Sequence, residues 1–518
     1  MKKFSLKKSS ATILKQPIWL ILIFSFLLRI PLLTGSFWLD EAAQALESIR
    51  PFSQQLDIIP DFQPPLLHYI THFAASVSET EWWLRLWGAL IPGLVTIWAT
   101  YKIGKKLFSE RVGQWAALLL ATSSFHIFYS QELRPYSLPA MWGMLSTLTL
   151  LTRPLIIWKF ILLSVAGLYS SYLYPFLLFT QLVIMWLKYK SPQKLFQTIL
   201  PIILLFIPWL PRFLQQLQAG QSLRLEIPGW ENAVSIPQIK TLVLVPLKFI
   251  FGVLNIEPTW TFILAILVLS FLCVKLFLIS QKSLWINLIN ALKKIPKLLR
   301  KNKLKLTPKM QLIILIILPF LSAWIISFLV PVLRPKRVLF LLPFFYLLFA
   351  SLLPTRKLGS LLYKNQEKIT IYLLSTLLFI NLWGTISYWH EKPLQRENWR
   401  ELKQEIVTTF PASSTLVIMS FDEPFAPWRW YLPEYPTLDL GYKHASDVEN
   451  MKDTLKPAFD KDYVLVFDYL RTLTDPDDLI LQTLSDFGFI GRGVIDYPGI
   501  GFVRIYTRSH NALGSARL

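Results

Sequence analysis

The stretch "FWLDEAAQAL", Phe37 to Leu46, sets two adjacent carboxylates, Asp40 and Glu41, directly after an apolar run long enough to cross a bilayer. It decides where the chain first leaves the membrane and what it presents there. The preceding run opens with the basic "MKKFSLKKSS" and has no small-x-small cleavage site, because "LLTGSFWLDE" passes straight into the acidic stretch. It reads as an uncleaved first span with a cytoplasmic N-terminus. Asp40 stands where it can cap the amphipathic "EAAQALESI", with Glu41 in the first turn, where a carboxylate complements the helix dipole. Aimed back toward a lipid-facing cleft, the same pair would be candidates for chemistry. Both readings stay open at the level of the bare sequence.

Outward from this stretch, the 518 residues are 53% hydrophobic, 14% aromatic and 16% charged, where a soluble domain carries about 25% charge. The composition is that of a membrane protein. Apolar runs at 16–34, 83–101, 112–129, 137–152, 155–172, 173–189, 195–211, 259–281, 310–332, 336–354 and 369–388 predict about eleven transmembrane helices. Residues 1–389 therefore form a membrane domain. Residues 390–518 read as a soluble α/β domain, with helices near 398–410 and 479–487 and strands near 415–420, 463–469 and 501–507.

The net charge of +21 averages two unlike parts. Residues 1–389 hold 39 Lys and Arg against 13 Asp and Glu, and residues 390–518 hold 14 against 19. The basic excess thus belongs to the membrane part, where the positive-inside bias explains it, and nucleic acid is excluded as a partner. The same bias lays the apolar segments 64–77 and 241–255 along the outer interface. If 64–77 crossed, Lys102, Lys105, Lys106 and Arg111 would face outward. In the resulting topology every acidic residue of the membrane part except Glu110 and Glu367 lies outside, together with the C-terminal domain. The positive-inside bias does not act on carboxylates, so their segregation needs another cause. A lone cysteine, Cys273, excludes an internal disulfide.

Three outer segments carry the candidate chemistry. The first loop holds Asp40 and Glu41, then "DFQPPLLHYI", in which Pro64 and Pro65 stop one helix and start another. "FHIFYSQELRPYSL" puts Glu132, Arg134 and Tyr136 between two spans, where ionisable groups pair or serve a function. "LRPKRVLFLLPFF" clusters Arg334, Lys336 and Arg337 on the outer side against the charge trend, which points to an anion or to lipid headgroups. His68 and His72 share a helix face, but no Glu follows His68 and no cysteine stands near, so structural histidines are expected rather than a zinc pair. No nucleotide-binding glycine loop and no G-x-S-x-G elbow occurs in the chain.

Taken together, "FWLDEA", "DFQPPLLHYI" and "LRLWGALIPGLVTIWATYKIGKKLFSERVGQWAALLLATSSFHIFYSQELRPYSL" resemble the bacterial GT-C glycosyltransferases of the protein O-mannosyltransferase-like class, glycosyltransferase family 39, relatives of the lipid A aminoarabinose transferases. "RPKRVLFLLPFF" and "ENWRELKQEI" are similar to the same class. The resemblance implies a transferase that passes a sugar from a polyprenyl-phosphate donor to a lipid, glycan or protein acceptor outside the cytoplasm, with inversion. It implies Asp40 as the essential carboxylate and Glu41 as its neighbour. Asp61, Gln63, His68, Glu132, Arg134, Tyr136, Arg334 and Arg337 become the expected substrate-binding set. The chain departs from the class at Gln63, where many relatives carry His, and it lacks the Glu-Lys pair of the aminoarabinose branch. Metal dependence is not legible in these residues, and a divalent cation stays open as a cofactor.

The chemistry of the residues agrees. An inverting transfer needs one base, here Asp40, and cationic groups for the departing phosphate, here Arg134 and Arg337. The rival readings are an oligosaccharide ligase or polymerase and a lipid-linked-sugar flippase. A transporter places its charges near the midplane of repeated halves. This chain shows no repeat, and its charges gather at one face.

Overall fold

The computed structural model describes residues 17–226, 238–254, 306–354 and 361–508, apart from 422, 443 and 498. The expected span 259–281, Cys273, the N-terminal basic stretch and nearly all of the basic loop "LKKIPKLLRKNKLKL" lie outside the described residues.

Helices dominate up to His390: α1 (Pro17–Leu27), α2 (Leu39–Ile49), α3 (Leu66–Ala75), α4 (Glu81–Leu107), α5 (Glu110–Thr122), α6 (Ser124–Tyr129), α7 (Ser137–Leu151), α8 (Ile157–Leu168), α9 (Tyr174–Tyr189), α10 (Pro192–Phe206), α11 (Leu210–Glu226), α12 (Gln238–Phe251), α13 (Pro308–Ile326), α14 (Leu342–Ala350) and α15 (Leu361–His390). Four helices among the described residues are long and apolar enough to cross a membrane: Glu81–Leu107, Pro192–Ser222, Pro308–Ile326 and Asn365–His390. The other expected spans that fall on described residues are shorter, three of them for plain local reasons. The run 16–34 stops being helical at Leu27, because Pro31 disfavours helix at the residue before it and Leu32 takes a left-handed φ of 64°. The run 112–129 breaks at Ser123, whose side chain accepts from the His126 amide and starts α6 afresh. The run 336–354 begins as the 3-10 helix Pro335–Leu341 and is α-helical only over nine residues.

Helix α12 of the segment 241–255 buries one face against the bundle and leaves Val243 exposed on another. Val245 and Phe249 of α12 are buried in the bundle core, and the Phe249 carbonyl accepts from the Tyr346 hydroxyl at 3.0 Å. Asp40 is not a helix N-cap: Trp38 holds that position without a side-chain cap bond, and Asp40 sits inside the first turn of α2. As expected for a short segment, α3 has ten residues, about 15 Å of helix, too short to cross hydrocarbon.

The bundle closes tightly where α4 meets α5. A Cβ on Gly113 would lie 2.5 Å from the Tyr101 carbonyl oxygen, and one on Gly104 would lie 2.6 Å from the Gly113 Cα. Small residues let the two backbones approach, the usual basis of helix packing where lipid removes the hydrophobic drive.

Beyond His390 come α16 (Trp399–Thr409), β1 (Thr415–Met419), α17 (Ala426–Tyr431), β2 (Thr437–Asp439), β3 (Tyr463–Phe467), α18 (Leu479–Asp486), β4 (Phe489–Tyr497) and β5 (Gly501–Arg508). The sheet order is β2-β1-β3-β5-β4, with β2-β1-β3 parallel and β5 and β4 antiparallel. Its central strands are buried on both faces. Val417 and Met419 pack with Trp399 and Ile406 on one side, and Leu416 and Ile418 pack with Ile480 and Leu484 on the other. This is why "LVIM", Leu416 to Met419, is a continuous apolar run rather than an alternating one. The first loop touches this unit: Phe37, Ala42 and Ala45 share a buried cluster with Ala426, and the Phe37 ring meets Trp430 edge-on at 5.7 Å.

Candidate active site

Helix α2 organises the site. Its buried face plants Glu41 in the protein: Arg85 donates from Nε to Glu41 Oε1 at 2.8 Å and from Nη2 to Oε2 at 2.6 Å, and the Leu133 amide donates to Oε1 at 2.7 Å. Both side chains are 0% exposed. Arg85 also donates to the carbonyls of Leu33, Gly35 and Ser36, tying down the chain as it leaves α1. Glu41, expected beside Asp40 as a catalytic neighbour, is therefore out of reach of a substrate and acts as an anchor.

Asp40, one residue earlier, points the other way and keeps its side chain 34% exposed. Arg134 Nε lies 3.8 Å from Asp40 Oδ2, and Arg134 Nη1 lies 3.0 Å from Asp61 Oδ1, so one guanidinium bridges the two carboxylates. Arg134 pairs with these and not with Glu132. Glu132 is 1% exposed, its nearest cation is Arg396 at 3.6 Å, and burial pushes its carboxyl up to about 7. Lys336 sits over the rings of Trp38 and Tyr136, at 5.5 and 5.3 Å from their centroids, and Asp40 acts electrostatically on both Lys336 and Arg334. Arg337 is exposed, and among the described residues its guanidinium reaches the carbonyls of Pro331 and Val332, at 3.4 Å each. The sequence reading named Arg334 and Arg337 of the "RPKR" cluster, and the structure adds Lys336 beside the aromatic rings. In the 3-10 turn that carries it, Lys336 faces the aromatic wall and Arg337 faces away.

Behind Asp61 lies a polar nest. His68 Nε2 is 2.9 Å from Asp61 Oδ2 and its Nδ1 is 3.4 Å from Glu47 Oε2. The Gln63 amide lies 2.9 Å from His68 Nε2, touches Asp61, and donates to Gln44 Oε1 at 2.6 Å. His72, the other half of the expected histidine pair, turns instead to the Ser48 carbonyl. Burial works against ionisation of Asp61, but Arg134 and His68 outweigh it and hold the carboxyl below its ordinary value. Burial and then the neighbouring Asp61 charge push Glu47 up to about 8. One ligand atom each from Glu47, Asp61 and His68 lies within 4.8 Å of the others. Among the described residues, Glu47 Oε2 and Gln63 Oε1 are buried without a hydrogen-bond partner. One imidazole nitrogen and two carboxylates suit a divalent cation, so these residues fit the cofactor that the sequence left open. Glu47 and Gln44 escaped the sequence reading. Their only signal was spacing on α2, three and four residues on from one another and from Asp40.

The bundle, with its short, charge-bearing first-loop helices and the sheet unit that follows, has counterparts of like fold among solved structures. In particular, it is similar to the crystal structure of ArnT from Cupriavidus metallidurans in the apo state, with a TM-score of 0.53, and bound to undecaprenyl phosphate, with a TM-score of 0.54. Each comparison is at 10% identity over 96% of this chain and 98% of that one. The Archaeoglobus fulgidus oligosaccharyltransferase tethered with an acceptor peptide is similar over 96% of this chain and 74% of that one, at 11% identity and a TM-score of 0.48. No family profile and no curated protein sequence matches the chain. The likeness is thus one of fold.

Proposed function

We propose that this chain is a membrane glycosyltransferase that moves a sugar from a polyprenyl-phosphate donor to an acceptor on the extracytoplasmic side, the side of its C-terminal domain. The cell membrane is its site, and the hydrogen bonds between the first loop and the C-terminal domain support their sharing one compartment, as the expected count of about eleven crossings requires. The observation that carries the reading is the company Asp40 keeps: a partly exposed carboxylate 3.8 Å from Arg134, on the same segment as the Trp38 ring that Lys336 covers. The ArnT crystal structure bound to undecaprenyl phosphate, which shares the fold, supports the donor class.

In this reading the acceptor hydroxyl attacks the anomeric carbon from the face opposite the phosphate. The new carbon–oxygen bond forms as the bond to the phosphate oxygen breaks, and the hydroxyl proton passes to Asp40. Lys336 and Arg334 meet the phosphate as its charge grows, and the Tyr136 and Trp38 rings hold the Lys336 ammonium in place. Arg134, already bridging Asp40 and Asp61, sets the direction of the base. A divalent cation at Glu47, Asp61 and His68 would supply positive charge behind Asp61.

The test is purified protein in nanodiscs with labelled polyprenyl-phosphate hexoses and pentoses and a membrane extract as acceptor. Label should move to an acceptor with release of polyprenyl phosphate, which would also identify sugar and acceptor. Lys336→Ala should lower donor use about ten- to a hundredfold, the worth of one charge-assisted contact, while Arg337→Ala changes it little. Use of a nucleotide sugar with no use of the lipid-linked one would overturn the reading.

A further inference from the structure

Helix α2 begins without a cap of its own, and the missing acceptor comes from the far end of the chain. The Leu39 amide donates to Glu397 Oε2 at 3.2 Å across 358 residues of sequence. The same oxygen accepts from Trp399 Nε1 at 2.6 Å, and Oε1 accepts from the Tyr469 hydroxyl at 2.8 Å. The Glu397 carbonyl accepts from Ser36 Oγ at 2.7 Å, and Ser36 Oγ in turn accepts from the Trp399 amide at 3.1 Å. Trp399 is stacked on Phe467 of β3. Gly499, at a φ of 84°, leaves the space that Glu397 fills, since a Cβ there would come 3.2 Å from Glu397 Cγ. Glu397 is thus held by the C-terminal unit through three residues of separate segments, and it hands one oxygen to the amide immediately before Asp40.

We propose that Glu397 is a positioning residue for Asp40: the C-terminal unit supplies the cap that fixes where α2 starts and hence where the Asp40 carboxylate stands. The inference rests on the reading of Asp40 as base. It gives the C-terminal unit a part in the reaction beyond covering the cavity. The Glu397 carboxylate is buried and bonded to Leu39, Trp399 and Tyr469, so in this proposal its removal acts on turnover and not on donor binding.

The test combines activity with hydrogen exchange on the full-length protein. Glu397→Ala should lower kcat roughly ten- to a hundredfold, the range for a small misplacement of a reacting group, with the donor KM unchanged. It should also speed exchange of the Ala42 amide and its first-turn neighbours in α2 while α4 and the sheet stay protected. Glu397→Gln keeps an acceptor oxygen and should fall between, and it is the variant to use if the alanine form does not fold. In an Asp40→Asn background the further loss from Glu397→Gln should vanish, because the residue acts through Asp40. Unchanged exchange at the start of α2, or the same fold-loss in both backgrounds, would overturn the proposal. Failure of the base reading itself shows separately, as full activity of Asp40→Asn alone.

Discussion

Asp40 and Glu41 are neighbours in sequence with opposite fates. One helical step of 100° separates them, so α2 buries one when it exposes the other. Glu41 satisfies a fully buried guanidinium, and taking away one partner of such a pair leaves an uncompensated charge at a cost of about 3 to 5 kcal/mol. Glu41→Ala and Arg85→Met should therefore both lower the melting temperature sharply in detergent, the second also stranding the carbonyls of Leu33, Gly35 and Ser36. A Glu41→Ala protein that melts like wild type would remove the anchor. The sequence marked Asp40, Asp61 and Arg134 as candidates, because charges beside apolar spans stand out. It was silent on Arg85, Arg396 and Glu397. Their partners lie 44, 355 and 358 residues away, and no local pattern tells such a charge from a solvated one.

At the scale of elements, the apolar runs were legible and the helix ends were not. A run of hydrophobic residues reports solvent, whereas Pro31, Ser123 and Pro335 decide how much of the run is α-helix. In the C-terminal unit, strands β1, β3 and β5 were readable from their β-branched and aromatic content. Strand β4, "FIGRGVIDY", was not, because Gly491 and Gly493 flank a register shift and most of its side chains are exposed. The closest helix contact gives a prediction at this scale. Gly113→Leu puts a side chain into the Tyr101 carbonyl of α4, and overpacking of this kind costs about 1 to 3 kcal/mol or more. It should abolish monodisperse expression, whereas Gly493→Ala, with nothing within 4 Å of its Cβ, should be tolerated. Size-exclusion profiles of the two variants check this, and a monodisperse Gly113→Leu protein would deny the close packing of α4 on α5.

For the whole molecule, carboxylates from distant segments, Asp40, Glu47, Asp61, Glu132 and Glu397, lie near enough to one another to form one connected acidic and basic network. The first loop and the C-terminal unit are joined by Ser36 to Glu397, by the Phe37 amide to the Tyr431 hydroxyl and by Tyr431 to Glu81, so they must occupy the same compartment. Ser53 and Ser446 are both exposed. In a Cys273→Ser background, a cysteine at either position should react with an impermeant thiol reagent in intact cells or spheroplasts. Labelling at only one of them would contradict the topology.

The central claim is that Asp40 takes the acceptor proton, and the measurement closest to it is sugar transfer from a polyprenyl-phosphate donor by purified, monodisperse Asp40→Asn protein. Asparagine keeps the size and the hydrogen-bonding oxygen, and because Asp40 does not cap α2 the fold loses only the modest first-turn charge effect, about 0.3 to 1 kcal/mol, and a 3.8 Å contact to Arg134, which keeps Asp61 at 3.0 Å as its partner. An amide accepts no proton at neutral pH, so turnover should fall on the order of a hundred- to ten-thousandfold, with expression and melting essentially unchanged. Wild-type turnover by Asp40→Asn would contradict the account and leave the carboxylate as a surface charge on the first turn of its helix.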